Sequence, residues 1–155
     1  MNVKEIIISS NKIVLDTGVL IEYFKADQNK IKHILRETLF NENSNTKIYM
    51  NYIIKSEIYY ILCRALGKQK AIELLDEIES FFLFEESKKI YELAGQIKCK
   101  FPISLADCYS IATGLVQDCP IFFMKEEELS ENMVRRINHE FKAKIYIIDK
   151  NKLES

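Results

Sequence analysis

The chain has no tryptophan, and only 2 prolines and 4 glycines among its 155 residues. So few turn formers and helix breakers exclude a collagen-like or low-complexity polypeptide and leave a chain rich in regular structure. Histidine is scarce too, with His33 and His139 alone, and the 4 cysteines (Cys63, Cys99, Cys108, Cys119) form no C-x-x-C, so no zinc-ligand spacing can be written. Their dispersal argues for free thiols in a reducing cytosol, with Cys63 and Cys108 at core-facing helical positions. Missing as well is any run of roughly 20 apolar residues that could span a bilayer, and "MNVKEIIISSNK" is too short in apolar residues for a secretory signal. Neither sign of charge dominates: 22 Lys and Arg against 23 Asp and Glu leave a net −1, so no global field recruits nucleic acid or anionic lipid. The expectation is a soluble cytoplasmic protein without membrane contact, whose dealings with any polyanion run through a local site.

What the chain does have is 48% hydrophobic and 29% charged residues, enough for one domain with a substantial core. Short β-branched and aromatic runs alternate with segments of helical period. Strands are expected at Ile13–Leu15, "TKIYM", "SFFLFEE", "PIFFM" and "AKIYIID". Between them, helices are expected through Phe24, near Asn29–Leu39, and over "NYIIKSEIYYILCRALG", with Asn51 as N-cap, Gly67 as stop and a buried stripe of Ile54, Ile58, Ile61 and Ala65. Further helices are expected over 68–79, "SKKIYELAGQIKCKF", "SLADCYSIATGLVQD" and "EEELSENMVRRINHEF". Strands separated by helices imply an α/β domain with a parallel sheet covered on both faces. There is no repeat and no interdomain linker. A single domain over 1–155 is expected, with an extra N-terminal segment 1–11 and a frayed tail from about 150 to 155.

Four acids stand out by position. Asp16 in "KIVLDTGVLIEYF" lies between two apolar runs at the end of the first strand, where α/β sheets collect ligands; a strand-end Asp also commonly caps the next helix. Glu57 borders the apolar stripe of its helix, and a lone Glu there commonly snorkels to water. Asp107 sits in "SLADCYSIATG", where Ser104-x-x-Asp107 also reads as a capping box in a first turn favoured by the helix dipole. Glu126 emerges just after "IFFM", beside Glu127 and Glu128, and its ordinary reading is a solvated first helical turn. Taken together, four acids at strand ends and rim-facing helix starts would repel one another without a cation, and suit a hard divalent ion such as Mg²⁺ or Mn²⁺.

In their order and surroundings, "IVLDTGVLIEYF", "KSEIYYIL", "SLADCYSIATG" and "PIFFMKEEEL" resemble the acidic motifs of PIN-domain ribonucleases, and among them the VapC-like toxins, over roughly Ile13 to Leu129. The resemblance implies a three-layer α/β/α fold with a central parallel sheet, and metal-dependent hydrolysis of RNA leaving 5′-phosphate and 3′-hydroxyl ends. It implies metal-binding roles for Asp16, Glu57 and Asp107, with Glu126 as a fourth catalytic acid and Thr17 steadying the first. It also implies a homodimer silenced by a small antitoxin protein. Two departures are visible: Gly18 stands where the family commonly has Ser or Asn, and Met124-Lys125-Glu126 where it commonly has Thr-x-Asp. Rival readings are a PIN-fold RNA-binding or scaffold module, a solitary RNA-processing nuclease, a receiver-like phosphoacceptor domain and a small-molecule phosphomonoesterase. The receiver-like reading lacks a second acid beside Asp16, and no Gly-rich phosphate loop occurs anywhere.

Overall fold

A computed structural model describes residues 2–153. Its core is a five-stranded sheet, β1 (Lys12–Leu15), β2 (Lys47–Met50), β3 (Phe82–Phe84), β4 (Ile121–Met124) and β5 (Ile145–Ile148), in the order β3-β2-β1-β4-β5 with every pairing parallel. Around it lie α1 (Val3–Ser9), α2 (Thr17–Phe24), α3 (Lys30–Thr38), α4 (Tyr52–Leu66), α5 (Lys68–Glu79), α6 (Lys88–Lys100), α7 (Leu105–Gln117) and α8 (Glu131–Phe141).

The layers follow from strand alternation. Ile13 and Leu15 of β1, Ile48 and Met50 of β2 and Phe122 of β4 point to one face, where they join buried residues of α1 to α5. Val14, Ile121 and Phe123 point to the other, against α6, α7 and α8. Strands buried on both sides must be apolar at consecutive positions, which is why "IVL" and "IFF" carry no polar residue. The expected three-layer α/β/α fold is the one observed. Among the described residues no helix is long and apolar enough to cross a membrane.

Local details differ from expectation at several points. The segment 1–11 holds α1, begun by a capping box in which the Asn2 side chain accepts from the Glu5 amide at 2.9 Å, and it buries Ile6 and Ile7. The stripe of α4 is Ile54, Ile58 and Leu62; Ile61 is only half-buried and Ala65 is exposed, because strict i+4 steps carry the stripe to Leu62. Residues 125–129 are not helical: Ser130 caps α8, accepting from the Met133 amide, so Glu126 is not in a first helical turn. Cys108 is buried and Cys63 only partly so. Of the tail, Lys150–Lys152 form a 3-10 turn, and Glu154 and Ser155 lie outside the described residues. Tyr23, Phe24 and Tyr59 pack on the core, whereas Tyr60 is exposed with the Arg64 guanidinium over its ring.

Two helical glycines have opposite environments. A Cβ at Gly114 of α7 would stand 2.1 Å from Cγ1 of Ile121, so α7 lies on β4 as closely as it does only because that side chain is absent. A Cβ at Gly95 of α6 would meet nothing within 4 Å. Gly114→Ala is therefore expected to lower unfolding free energy by about 1–3 kcal/mol, and Gly95→Ala to raise it by about 0.5–1 kcal/mol through helix propensity. Denaturant midpoints for the two variants check both signs.

Candidate active site

The strand order places β1 at the centre, with β2 on one side and β4 on the other, so the chain leaves the sheet in opposite directions just beyond Leu15. A crevice opens at the carboxyl end of such a switch point. Here it is a cleft of about 380 Å³ whose lining includes Asp16, Glu22, Glu57, Asp107, Glu126 and Glu128 and, among the described residues, no lysine or arginine. All four acids singled out in the sequence reach it, from four separate elements.

Asp16 occupies the N-cap position of α2 yet makes no side-chain cap bond. Its backbone amide donates to the Phe122 carbonyl at 2.9 Å, and its Oδ1 accepts from the buried Ser110 hydroxyl at 2.6 Å. The carboxylate is thus held by tertiary contacts and aimed into the cleft while only 4% exposed. Burial, then the negative charge of Asp107, pushes its pKa up to about 7, against the pull of the Ser110 hydroxyl.

Asp107 lies in the first turn of α7. The Ser104 hydroxyl accepts from its amide at 3.1 Å, which is the first half of the expected capping box. The Asp107 carboxyl faces the cleft rather than solvent, and burial lifts its pKa even though hydrogen bonds from Glu126 and Ser104 oppose the rise. Glu126 stands at the rim with an exposed stem and its carboxyl turned toward Asp107. Loss of water around that carboxyl, then the hydrogen bond and charge of Asp107, pushes it up to about 8. Each carboxyl thus bears on the other, the ordinary response of two acids pressed together. Glu57, half-buried on α4, faces them from the other layer, and its charge raises both Asp16 and Asp107.

Two residues of the site, Glu22 and Ser110, went unnoticed in the sequence, and Asn51 reads there only as a helix cap. Glu22 lines the wall and is buried; it stands four residues after Gly18, on the same helical stripe, a spacing that could have revealed it. Ser110, one turn after Asp107, carried no such signal, because its partner is 94 residues away. Asn51 caps α4 through its oxygen and donates to the buried Thr113 hydroxyl at 2.8 Å, tying α4 to α7 beside the cleft. Thr17 is buried, and its hydroxyl has no hydrogen-bond partner among the described residues.

The donor set of the cleft is all oxygen and strongly anionic, which fits a hard divalent cation and not zinc or copper. Among the described residues no group of three His, Cys, Asp or Glu side chains is already gathered so as to hold a metal ion. Asp16 is turned to Ser110 and Asp107 to Glu126. At Gly18 a Cβ would meet Met124 at an ordinary 3.5 Å, so a small polar side chain would fit there and the glycine is not forced by packing.

No curated protein sequence matches this chain. Solved structures do. VapBC2 from Rickettsia felis, bound to a DNA fragment from its promoter, aligns with TM-score 0.65 and 14% identity over 89% of this chain and 98% of the other. VapBC-1 from nontypeable Haemophilus influenzae aligns with TM-score 0.62 and 16% identity over 91% and 99%. DNA-bound VapBC from Salmonella typhimurium aligns with TM-score 0.58 and 16% identity over 90% and 98%. At such identities the likeness is one of fold. The model of the PIN domain matches residues 13–133, from the first strand into the last helix and across every acid of the cleft: this chain belongs to the PIN-domain family.

Proposed function

We propose that this protein is a Mg²⁺- or Mn²⁺-dependent ribonuclease and the toxin of a VapBC-type toxin–antitoxin pair, working in the cytoplasm as a homodimer. One observation carries the reading. Asp16 is buried at the end of the central strand, spared from capping, and shares a single cleft with Glu57, Asp107 and Glu126. Burying a carboxylate beside others is costly for folding, so its presence argues for chemistry. Membership of the PIN family and the likeness to VapBC structures support a nuclease paired with a small antitoxin.

Asp16, Glu57 and Asp107 would hold the ion. When bound, it supplies positive charge at the scissile phosphate and makes water more acidic. The chain's own residues supply the rest. Ser110 fixes the Asp16 rotamer through its hydroxyl, and Asn51 locks the two helices that bring Glu57 and Asp107 face to face. Glu57, the most accessible of the three, orients the attacking water and accepts its proton. In-line attack forms a new P–O bond and breaks the bond from phosphorus to O3′, which takes up a proton and leaves as the 3′-hydroxyl. Glu126 holds the Asp107 carboxyl from the rim. A second reading, an RNA-binding or scaffold module without catalysis, is favoured by the lack of a gathered ligand set among the described residues and by Glu126 in place of an aspartate.

The purified protein is expected to cleave RNA in Mn²⁺, and Asp16→Asn to lose at least about 100-fold of that rate, the scale of a positioned catalytic group. Absence of cleavage by wild type supports the scaffold reading, and equal cleavage by both proteins marks a contaminant. Ser110→Ala is expected to keep the fold while losing about 10–100-fold in metal affinity or rate, as orienting partners of ligands do; an unchanged titration with Mn²⁺ would remove Ser110 from the site. The raised carboxyls also set a sign for pH. With pKa values near 7 for Asp16 and 8 for Glu126 when folded, against 3.8 and 4.5 otherwise, the folded state binds more protons than the unfolded state across that interval. Stability present below pH 4 is therefore lost as pH rises to about 8. Melting of the metal-free protein should show a fall in Tm over this range that is smaller in Asp16→Asn, and Mn²⁺ should raise Tm more at pH 8 than at pH 5.

A further inference from the structure

Glu22, a residue of the acidic cleft's lining, anchors a cationic clasp of two lysines that stand outside that lining. Glu22, buried in the second turn of α2, holds Lys25 at 2.7 Å through Oε1 and Lys150 at 2.6 Å through Oε2. Burial alone would raise the Glu22 carboxyl, but the Lys150 and Lys25 ammoniums outweigh it and keep it below the ordinary glutamate range. Two lysines on one carboxylate leave a net charge of +1, and both lysine side chains are nearly half exposed, at 45% and 46%. Each ammonium has three donors; Lys25 gives one to Glu22 Oε1, and Lys150 meets Oε2 as an ion pair.

The clasp is placed by the fold from two distant parts of the chain. Lys25 follows the last residue of α2, whose carboxyl-terminal turn is also held by the Asn29 amide on the Glu22 carbonyl at 3.0 Å. Lys150 opens the 3-10 turn after β5, which Asp149 caps by accepting from the Asn151 amide. Asp149 is itself paired with Lys125, next to Glu126 at the cleft mouth. Along α2, six residues separate Asp16 from Glu22, which is about 9 Å at 1.5 Å per residue. The cleft thus runs from carboxyls without a cationic partner at the β1 end to Glu22, whose carboxylate is held by two lysines.

Resting on the ribonuclease reading above, we infer that Lys25 and Lys150, oriented by Glu22, form a phosphate-binding subsite that grips the RNA backbone beside the scissile phosphate. The acidic floor repels a polyanion, and the ion held there offsets that only at the bond to be cut. The flanking phosphate needs its own donors, and these two ammoniums are anchored on Glu22 of the cleft lining. Glu22 prepays their ordering and keeps them from collapsing onto the catalytic acids. The subsite reads backbone charge and not base identity.

The test is binding of a fluorescently labelled single-stranded RNA, with Ca²⁺ in place of Mg²⁺, followed by anisotropy across a salt series. Lys25→Met with Lys150→Met is expected to weaken binding about tenfold and to reduce the slope of log affinity against log salt by about 1.4, two contacts at about 0.7 each. Lys25→Arg with Lys150→Arg should restore both. Because the double methionine variant leaves Glu22 buried and unpaired, the same measurement is made on Glu22→Gln/Lys25→Met/Lys150→Met, which removes the whole clasp. Lys12→Met with Lys144→Met, at the amino-terminal rim of the sheet, matches the change in charge and should leave the slope within about 0.5 of wild type. Wild-type cleavage in Mn²⁺ together with unchanged binding by the clasp variants overturns the subsite and leaves the nuclease standing. Loss of binding in the clasp variants without any wild-type cleavage does the reverse. A drop in Tm with an unaltered salt slope makes the clasp purely structural and likewise overturns the inference.

Discussion

A single hydrogen bond, from the Ser110 hydroxyl to Asp16 Oδ1, connects the chemistry of this molecule to its architecture. Asp16 stands where a helix cap would be expected, and a carboxylate that caps its own helix is consumed by backbone amides. Here the bond from α7 replaces that role and aims the carboxylate across the carboxyl rim of the sheet. It needs α7 to lie close on the sheet, which the missing side chain at Gly114 permits, and to be in register with α4, which the Asn51–Thr113 bond secures. The same packing keeps Asp107 beside Asp16 at the cost of repulsion. The two buried helical layers, the apolar strands and the glycine contact thus converge on holding like charges together.

Electrostatics gives the cleft a direction. At its floor, burial and mutual repulsion raise Asp16, Asp107 and Glu126 above the ordinary carboxyl range, a rise that a cation would oppose. At its wall, Glu22 is held in the opposite sense by two lysines. The net charge of −1 conceals both features, because an average over 22 basic and 23 acidic residues carries no information on where they meet. A polyanion approaching such a surface is steered by local pairing, not by a global field.

The family model covers the sheet up to β4 and the start of α8, while α1 and the segment from β5 onward lie outside it. These flanking pieces are integrated into the domain. Ile6 and Ile7 of α1 and Ile148 of β5 are buried in the same cluster as β1 and α2, and Leu153 packs against it. The last turn supplies Lys150 as a partner of Glu22 in the cleft lining, so a segment beyond the family's own motif region supports the wall of the site.

Much of this was legible in the order of residues. Apolar runs flanked by helical periods fixed the number and type of strands, and carboxylates placed directly after those runs had to emerge at one rim, since parallel strands share a direction. Asn51 and Gly67 marked helix ends through chemistry that is local, a side-chain cap and a positive φ of 89°. The helix at Val3–Ser9 was also written locally, in its Asn2–Glu5 capping box. Other features had no local trace. Whether Asp16 caps its helix or faces the cleft depends on a hydroxyl 94 residues away, whether Glu126 is solvated depends on Asp107, and whether Glu22 is free depends on a lysine in the final turn. Periodicity and capping are properties of neighbours along the chain, so the sequence by itself determined the elements and the rim to which the acids go. Desolvation and charge pairing are properties of neighbours in space, so only the tertiary structure decided which of those acids are buried, which are raised by a neighbouring acid and which are neutralised.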